Sequence, residues 1–178
     1  MYSTNNSLPL ESRAAVIELL NNRLADAIDL KTQAKQAHWN LRGPSFFALH
    51  ELFDQIASGV AGYADLLAER ITQLGGTALG TVPVVAQRST LDEYPSNLSE
   101  EHEHVKTLAS ALARCGTETR NTIYEADKFG DPVTADILTE ISRGLDKYLW
   151  LVEAHTQIRR SEVADNAPPR QEVAAGIR

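Results

Sequence analysis

The sequence predicts an all-α protein: four long helices bundled together, with one long crossover. Three observations carry this. Apolar residues recur at steps of three and four along four long segments, which puts them on one face of a helix. Gly and Pro gather between those segments. The second and third segments are separated by residues 75–98, a connection longer than an up-and-down pair of helices needs. At 178 residues and 43% hydrophobic, the chain suits one domain with a sizeable core.

The first helix is marked by Leu10, Ala14, Ile17, Leu20, Leu24 and Ile28. Gly43-Pro44 ends it, because proline cannot continue a helix and restricts the residue before it. The second carries Phe46, Leu49, Phe53, Ile56, Val60, Tyr63, Leu67, Ile71 and Leu74, and Gly75-Gly76 stops it. Val105, Leu108, Leu112, Cys115 and Ile123 mark the third. Asp131-Pro132, an N-cap followed by proline at the first helical position, opens the fourth. That helix continues through Val133, Ile137, Ile141, Leu145, Tyr148, Val152 and Ile158. A parallel pair needs a long link, so residues 75–98 point to a ferritin-like four-helix bundle with one crossover. Ser89-Thr90-Leu91-Asp92-Glu93 reads as a candidate short helix inside that crossover. The expected organisation is an N-terminal tail over 1–10, the bundle over 11–158 and a C-terminal tail over 159–178.

Ten Gly and seven Pro rule out a collagen-like or low-complexity chain. The single cysteine, Cys115, cannot form an intramolecular disulfide and fits a reducing compartment. The first residues lack the basic-then-apolar order of a signal peptide, and no apolar run approaches the ~18 residues of a membrane span. The expectation is a soluble cytoplasmic protein. The net charge of −7 argues against nucleic acid as the default ligand and suits cations.

Chemistry concentrates on the second helix. His50 and Asp54 are four residues apart, as are Asp65 and Glu69, so each pair shares a face. From Asp54 to Asp65 is about three full turns, so all four side chains fall on roughly one stripe. Imidazole with carboxylates is a usual ligand set for iron or zinc. The alternative is a solvated charged face. Along the axis, Asp54 and Asp65 are roughly 16 Å apart, while metal–ligand bonds are about 2 Å. The two pairs therefore cannot serve one site within a single helix. They can if two copies of the helix run antiparallel across a two-fold axis. Such a crossing centres near residues 59 and 60, among Ala57, Ser58, Gly59, Ala61 and Gly62. Helical glycines, each less favourable than Ala by ~1 kcal/mol, then mark close backbone approach. Tight packing inside one subunit is the alternative. His38, near the end of the first helix, is a fifth candidate ligand, or a histidine placed at a helix C-terminus.

These residues carry a resemblance. The run His38-Trp39-Asn40-Leu41-Arg42-Gly43-Pro44 is followed by Phe47, Leu49-His50, Phe53-Asp54, Tyr63, Asp65, Ala68-Glu69-Arg70 and Leu74-Gly75-Gly76. Together with Thr134-Ala135-Asp136-Ile137-Leu138 and Asp146-Lys147-Tyr148-Leu149-Trp150, it resembles the signature of the DNA-protection-during-starvation (Dps) family, the mini-ferritin branch of the ferritin superfamily. The likeness covers roughly residues 11–158. It implies a hollow twelve-subunit shell with ferroxidase centres shared across two-fold interfaces. His38, His50 and Asp54 would come from one subunit, and Asp65 and Glu69 from its neighbour. It implies that Fe(II) is bound, oxidised preferentially by hydrogen peroxide and stored as ferric mineral, with zinc a competitor. Glu69 would bridge two irons. Trp39 resembles the family aromatic thought to quench radicals, with core packing as its alternative. Asp127, Asp131 and Asp136 correspond to a three-fold pore, although Asp131 has a competing capping role.

Two further features remain. Glu101-x-x-His104 has the spacing of larger ferritins but occurs once, and acidic residues in a first turn also meet the helix dipole. Family members that bind DNA often use Lys-rich tails, whereas residues 1–10 contain no Lys or Arg. Arg159, Arg160, Arg170 and Arg178 are offset by Glu162, Asp165, Glu172 and the terminal carboxylate. DNA binding is therefore expected to be weak or absent. The alternative is a DNA-compacting nucleoid protein with a secondary iron site.

Overall fold

The computed structural model describes residues 1–157; the expected end of the fourth helix at Ile158 and the tail over 159–178 lie outside them. The described residues form four long helices and one short one: α1 (Leu10–Asn40), α2 (Phe46–Gln73), α3 (Val82–Arg88), α4 (Glu101–Lys128) and α5 (Pro132–Glu153). Among the described residues no helix is long and apolar enough to cross a membrane. Leu20, Leu30, Phe53, Ile56, Ile71, Leu108 and Leu138 are wholly buried between the four long helices. Leu10, Phe46 and Val133, apolar residues at helix starts, are instead exposed.

The helix ends follow local chemistry. Gly75 takes the left-handed conformation (φ +85°) after α2; its N–H reaches the Thr72 carbonyl, and the Gly76 N–H reaches that of Ile71. Gly130 (φ +74°) closes α4 in the same way, onto Asp127, while the Asp131 N–H bonds to Ala126. This paired bonding satisfies carbonyls that a helix end otherwise leaves bare. Asp131 caps α5, accepting from the Thr134 N–H at 3.0 Å. It also pairs with Arg70 of α2 at 2.8 Å, both side chains being buried.

Two contacts fix the topology. At one end the Glu101 N–H bonds to the Arg42 carbonyl, so α4 starts where α1 ends. At the other end Arg70 and Asp131 bring the end of α2 to the start of α5. Helices α2 and α4 therefore run parallel, and the crossover travels the length of the bundle. Polar residues buried on α1 hold it there. Asn21 accepts from the Leu79 N–H and donates to the Thr77 carbonyl. Asp26 accepts from the N–H and hydroxyl of Thr90, and Gln33 donates to the Asp92 carbonyl.

The short helix lies earlier than the sequence suggests. It spans Val82–Arg88, with Pro83 in its first turn, and residues 89–93 are irregular. Ser89 is extended and its hydroxyl donates to Asp29, while Thr90 is held by Asp26. These long-range bonds take up the groups that would have served a local helix. The N-terminal residues meet the far end of α2: the Tyr2 N–H bonds to the Gly75 carbonyl at 2.7 Å, and Arg13 donates to the carbonyls of Leu8 and Leu74.

Candidate metal centre

Helices α1 and α2 are joined by a tight turn, so the end of one lies beside the start of the other. His38, in the last turn of α1, meets His50, in the second turn of α2. Their rings stack with centroids 3.7 Å apart. His38 Nδ1 is 2.8 Å from the His50 carbonyl, and His50 Nδ1 is 3.0 Å from the His38 carbonyl. A carbonyl only accepts, so each Nδ1 carries the proton and donates. That fixes both tautomers and leaves Nε2 of each ring as the lone-pair nitrogen, the second-sphere arrangement that prepares a histidine to bind a metal. Phe46 stacks on the other side of His50, with centroids 5.1 Å apart.

Asp54, one turn beyond His50, receives a hydrogen bond from the Lys35 ammonium. That bond holds the Asp54 carboxyl below the usual carboxylate range; partial burial opposes it, and the charge of Lys35 adds to it. Both side chains remain partly open to solvent. Lys35 is three residues before His38 on the same face of α1, and its Nζ lies 6.0 Å from the centre of the Trp39 ring. Trp39 itself is 67% exposed, which removes core packing as its role within one chain.

Asp65 and Glu69 are exposed on the same helix, farther toward its C-terminus. Asp65 borders a shallow depression floored by small residues, among them Ala61, Ala64, Ala68 and Gly80. The fold thus stacks His38 on His50, with Asp54 one turn farther along α2, and leaves Asp65 and Glu69 apart from them. Among the described residues no three His, Cys, Asp or Glu side chains of one chain are grouped to hold a metal ion.

The glycines of α2 divide. The Tyr148 hydroxyl of α5 fills the space over Gly59, so close packing inside the subunit accounts for that residue. Among the described residues, nothing outside the helix's own backbone lies within 4 Å of where a side chain at Gly62 would begin. Of the three pore candidates, Asp127 and Asp136 are exposed, whereas Asp131 is buried and engaged by Arg70 and Thr134. Glu101 and His104 part company. Glu101 accepts from the Ser45 N–H at 2.8 Å, and the buried His104 meets the Tyr94 hydroxyl at 2.6 Å. Sequence reasoning missed Lys35 and Phe46; their spacing from His38 and His50, three and four residues, was the available signal.

Comparison with known proteins defines the class first. Residues 17–161 match the ferritin-like domain. The chain is 44% identical over 156 residues to the DNA protection during starvation protein of Agrobacterium fabrum, covering 88% of this chain and 96% of that one. Among solved structures, Mycobacterium smegmatis Dps superposes with a TM-score of 0.85 at 31% identity, over 90% of this chain and 91% of that one. DpsA14 from Streptomyces coelicolor superposes with a TM-score of 0.83 at 33% identity, over 88% and 92%. The chain belongs to the Dps family of ferritin-like proteins.

Proposed function

We propose that this protein is a ferroxidase and iron-storage protein whose centres are completed between subunits. His38, His50 and Asp54 of one chain face Asp65 and Glu69 of the partner subunit, in two copies related by a two-fold axis within a twelve-subunit shell. The observation that carries this reading is the reciprocal bonding of His38 and His50. It costs each ring its Nδ1 and leaves Nε2 of each as the nitrogen that can take a metal.

Fe(II) is the substrate. Neutral imidazole nitrogens and carboxylate oxygens suit it, and hard oxygen donors favour the ferric product. With two Fe(II) at a centre, hydrogen peroxide accepts one electron from each and leaves as two hydroxides, so no hydroxyl radical is released. Dioxygen serves more slowly, and zinc competes for the same donors. Asp127 and Asp136, both exposed, draw cations toward the shell, helped by the chain's net charge of −7. Trp39, exposed beside the half-site, is placed to donate an electron to any stray radical. The same negative charge opposes phosphate, which disfavours the reading as a DNA-compacting protein. Tight retardation of duplex DNA at physiological salt would reverse that preference.

Complementation tests the shared centre. One variant carries His50→Ala with Asp54→Ala, and a second carries Asp65→Ala with Glu69→Ala. Each alone should lose rapid peroxide-driven iron oxidation. Co-expressed, a mixed pair contains one fully intact centre, and activity should return. Mixed shells no faster than either parent would overturn the reading.

A further inference from the structure

Glu101 opens α4 but turns its N–H and its carboxylate to another part of the chain. The N–H donates to the Arg42 carbonyl at 3.1 Å, and the carboxylate accepts from the Ser45 N–H at 2.8 Å. One residue of α4 thus grips the α1–α2 turn on both sides of Gly43-Pro44. The approach is close: a Cβ at residue 43 would fall on the Glu101 carboxylate, so glycine is what the contact admits. Among the described residues the Ser45 side chain makes no cap hydrogen bond, and the Ser45 N–H at the start of α2 is served by a side chain from another helix. A carboxylate there also meets the positive end of the α2 dipole.

This turn sets the half-site. His38 lies four residues before Arg42, and His50 five residues after Ser45. Their rings stack at 3.7 Å, and each Nδ1 reaches the other residue's carbonyl, at 2.8 and 3.0 Å. A shift of α2 along α1 by about 1 Å would carry both bonds beyond hydrogen-bond distance. Resting on the shared-centre reading above, we propose that Glu101 is a positioning residue of the metal centre: its bonds to Arg42 and Ser45 lock the α1–α2 turn and so hold His38 and His50 in register, with Nε2 of each free to take a metal. It acts through the turn and not as a ligand.

The assembled protein is titrated with Co(II), which ligates like Fe(II) without being oxidised on mixing and reports its ligands by its visible absorption. Wild type is compared with Glu101→Gln, Glu101→Asp, Glu101→Ala, Glu103→Ala and His50→Ala. Glu101→Gln keeps the reach and an oxygen that accepts the Ser45 N–H, and should bind Co(II) near wild type. Glu101→Asp keeps the charge but is one carbon short, and Glu101→Ala keeps neither; both should weaken binding roughly tenfold and alter the absorption. Glu103, whose carboxylate accepts from the Glu100 N–H at 3.3 Å, belongs to the same helix start but not to the turn. Glu103→Ala should lower the thermal midpoint and leave Co(II) binding unchanged. If Glu101→Gln weakens binding while Glu101→Asp matches wild type, charge is responsible. If Glu103→Ala weakens binding as much as Glu101→Ala, the start of α4 is responsible. Either result, or weakening by His50→Ala alone, refutes the role of Glu101 and leaves the centre standing. Were Glu101→Ala not to assemble, the contrast between Glu101→Gln and Glu101→Asp would decide. Were His50→Ala to bind Co(II) as wild type does, the centre itself would be refuted, and the proposal for Glu101 with it.

Discussion

Tyr148 of α5 places its hydroxyl in the notch left by Gly59 of α2, and four residues on, Tyr63 of α2 does the same to Gly144 of α5. Each helix supplies one tyrosine and one glycine, spaced a turn apart, so the two interlock at a single register. A methyl group at 59 would overlap the phenol. Alanine is ordinarily favoured over glycine inside a helix by ~1 kcal/mol, but overpacking a filled site costs typically 1–3 kcal/mol. Gly59→Ala should therefore destabilise the fold. Adding Tyr148→Phe should recover part of the loss, as read from thermal midpoints.

Gly62 gives the opposite expectation, because its site is open in the single chain. Gly62→Ala should keep or raise helix content through the same propensity. If α2 crosses a second copy near this point, the methyl group should instead loosen the assembly. The expected result is a well-folded variant with a larger dissociated fraction by native mass spectrometry. An assembly as firm as wild type would move the crossing point away from residue 62.

Much of this was legible in the sequence because the signals are local. Helical periodicity, the glycines at 75 and 130 and the Asp131-Pro132 start depend on neighbours a few residues away. So does the proposed ligand set, since four of its five candidates lie on one helix. The position of α3 depends on Asp26 holding Thr90, Asp29 holding Ser89 and Gln33 holding residue 92, contacts some sixty residues apart that no local pattern records. The same is true of Lys35 on Asp54 and of Tyr148 on Gly59. Each required two helices to be brought together before either residue had a role.

Asp131 should make the fold acid-sensitive. Burial pushes its carboxyl upward, but the hydrogen bonds from Thr134 and the charge of Arg70 outweigh that and hold it below its ordinary 3.8. A lowered folded value means the contribution is complete above the unfolded value and disappears as pH falls through the folded one. Asp26 has the opposite sign: burial raises it despite Arg23 and Thr90, so its contribution is complete in acid and declines as pH rises through its folded value. Asp131→Asn keeps a capping side chain yet strands the buried Arg70, an omission that costs about 3–5 kcal/mol. The variant should melt well below wild type at neutral pH. The gap should begin to narrow as pH falls below 3.8, and close as pH falls through the lower folded value, where wild-type Asp131 loses its charge too. A gap unchanged down to pH 2 would mean that the charge is unimportant.

The N-terminal segment offers a separate test at Gly75. Its left-handed backbone disfavours any residue with a side chain by about 1–2 kcal/mol. A methyl group there would also press on the Tyr2 carbonyl, whose N–H bonds to the Gly75 oxygen. Gly75→Ala should cost about 1–2 kcal/mol and release residues 1–8, seen as faster proteolytic trimming of that end. Equal trimming rates would show that the Tyr2 contact contributes little to holding the segment.

The ligand assignments predict a separation of chemistry from assembly. His38 is half-buried and Asp65 exposed, and neither supports the apolar core. His38→Ala also removes the ring that stacks on His50, although the bond from His50 Nδ1 to the backbone carbonyl of residue 38 survives. It should slow peroxide-driven iron oxidation more than loss of one donor alone, roughly 100-fold by analogy with losing a ligand and its orienting group together. His38→Gln, whose amide can still donate to the His50 carbonyl, should fall between alanine and wild type. Asp65→Ala should slow the reaction by roughly tenfold or more while the assembly elutes on gel filtration as wild type does. Shells that fall apart with both substitutions would assign these side chains to the interface rather than to iron.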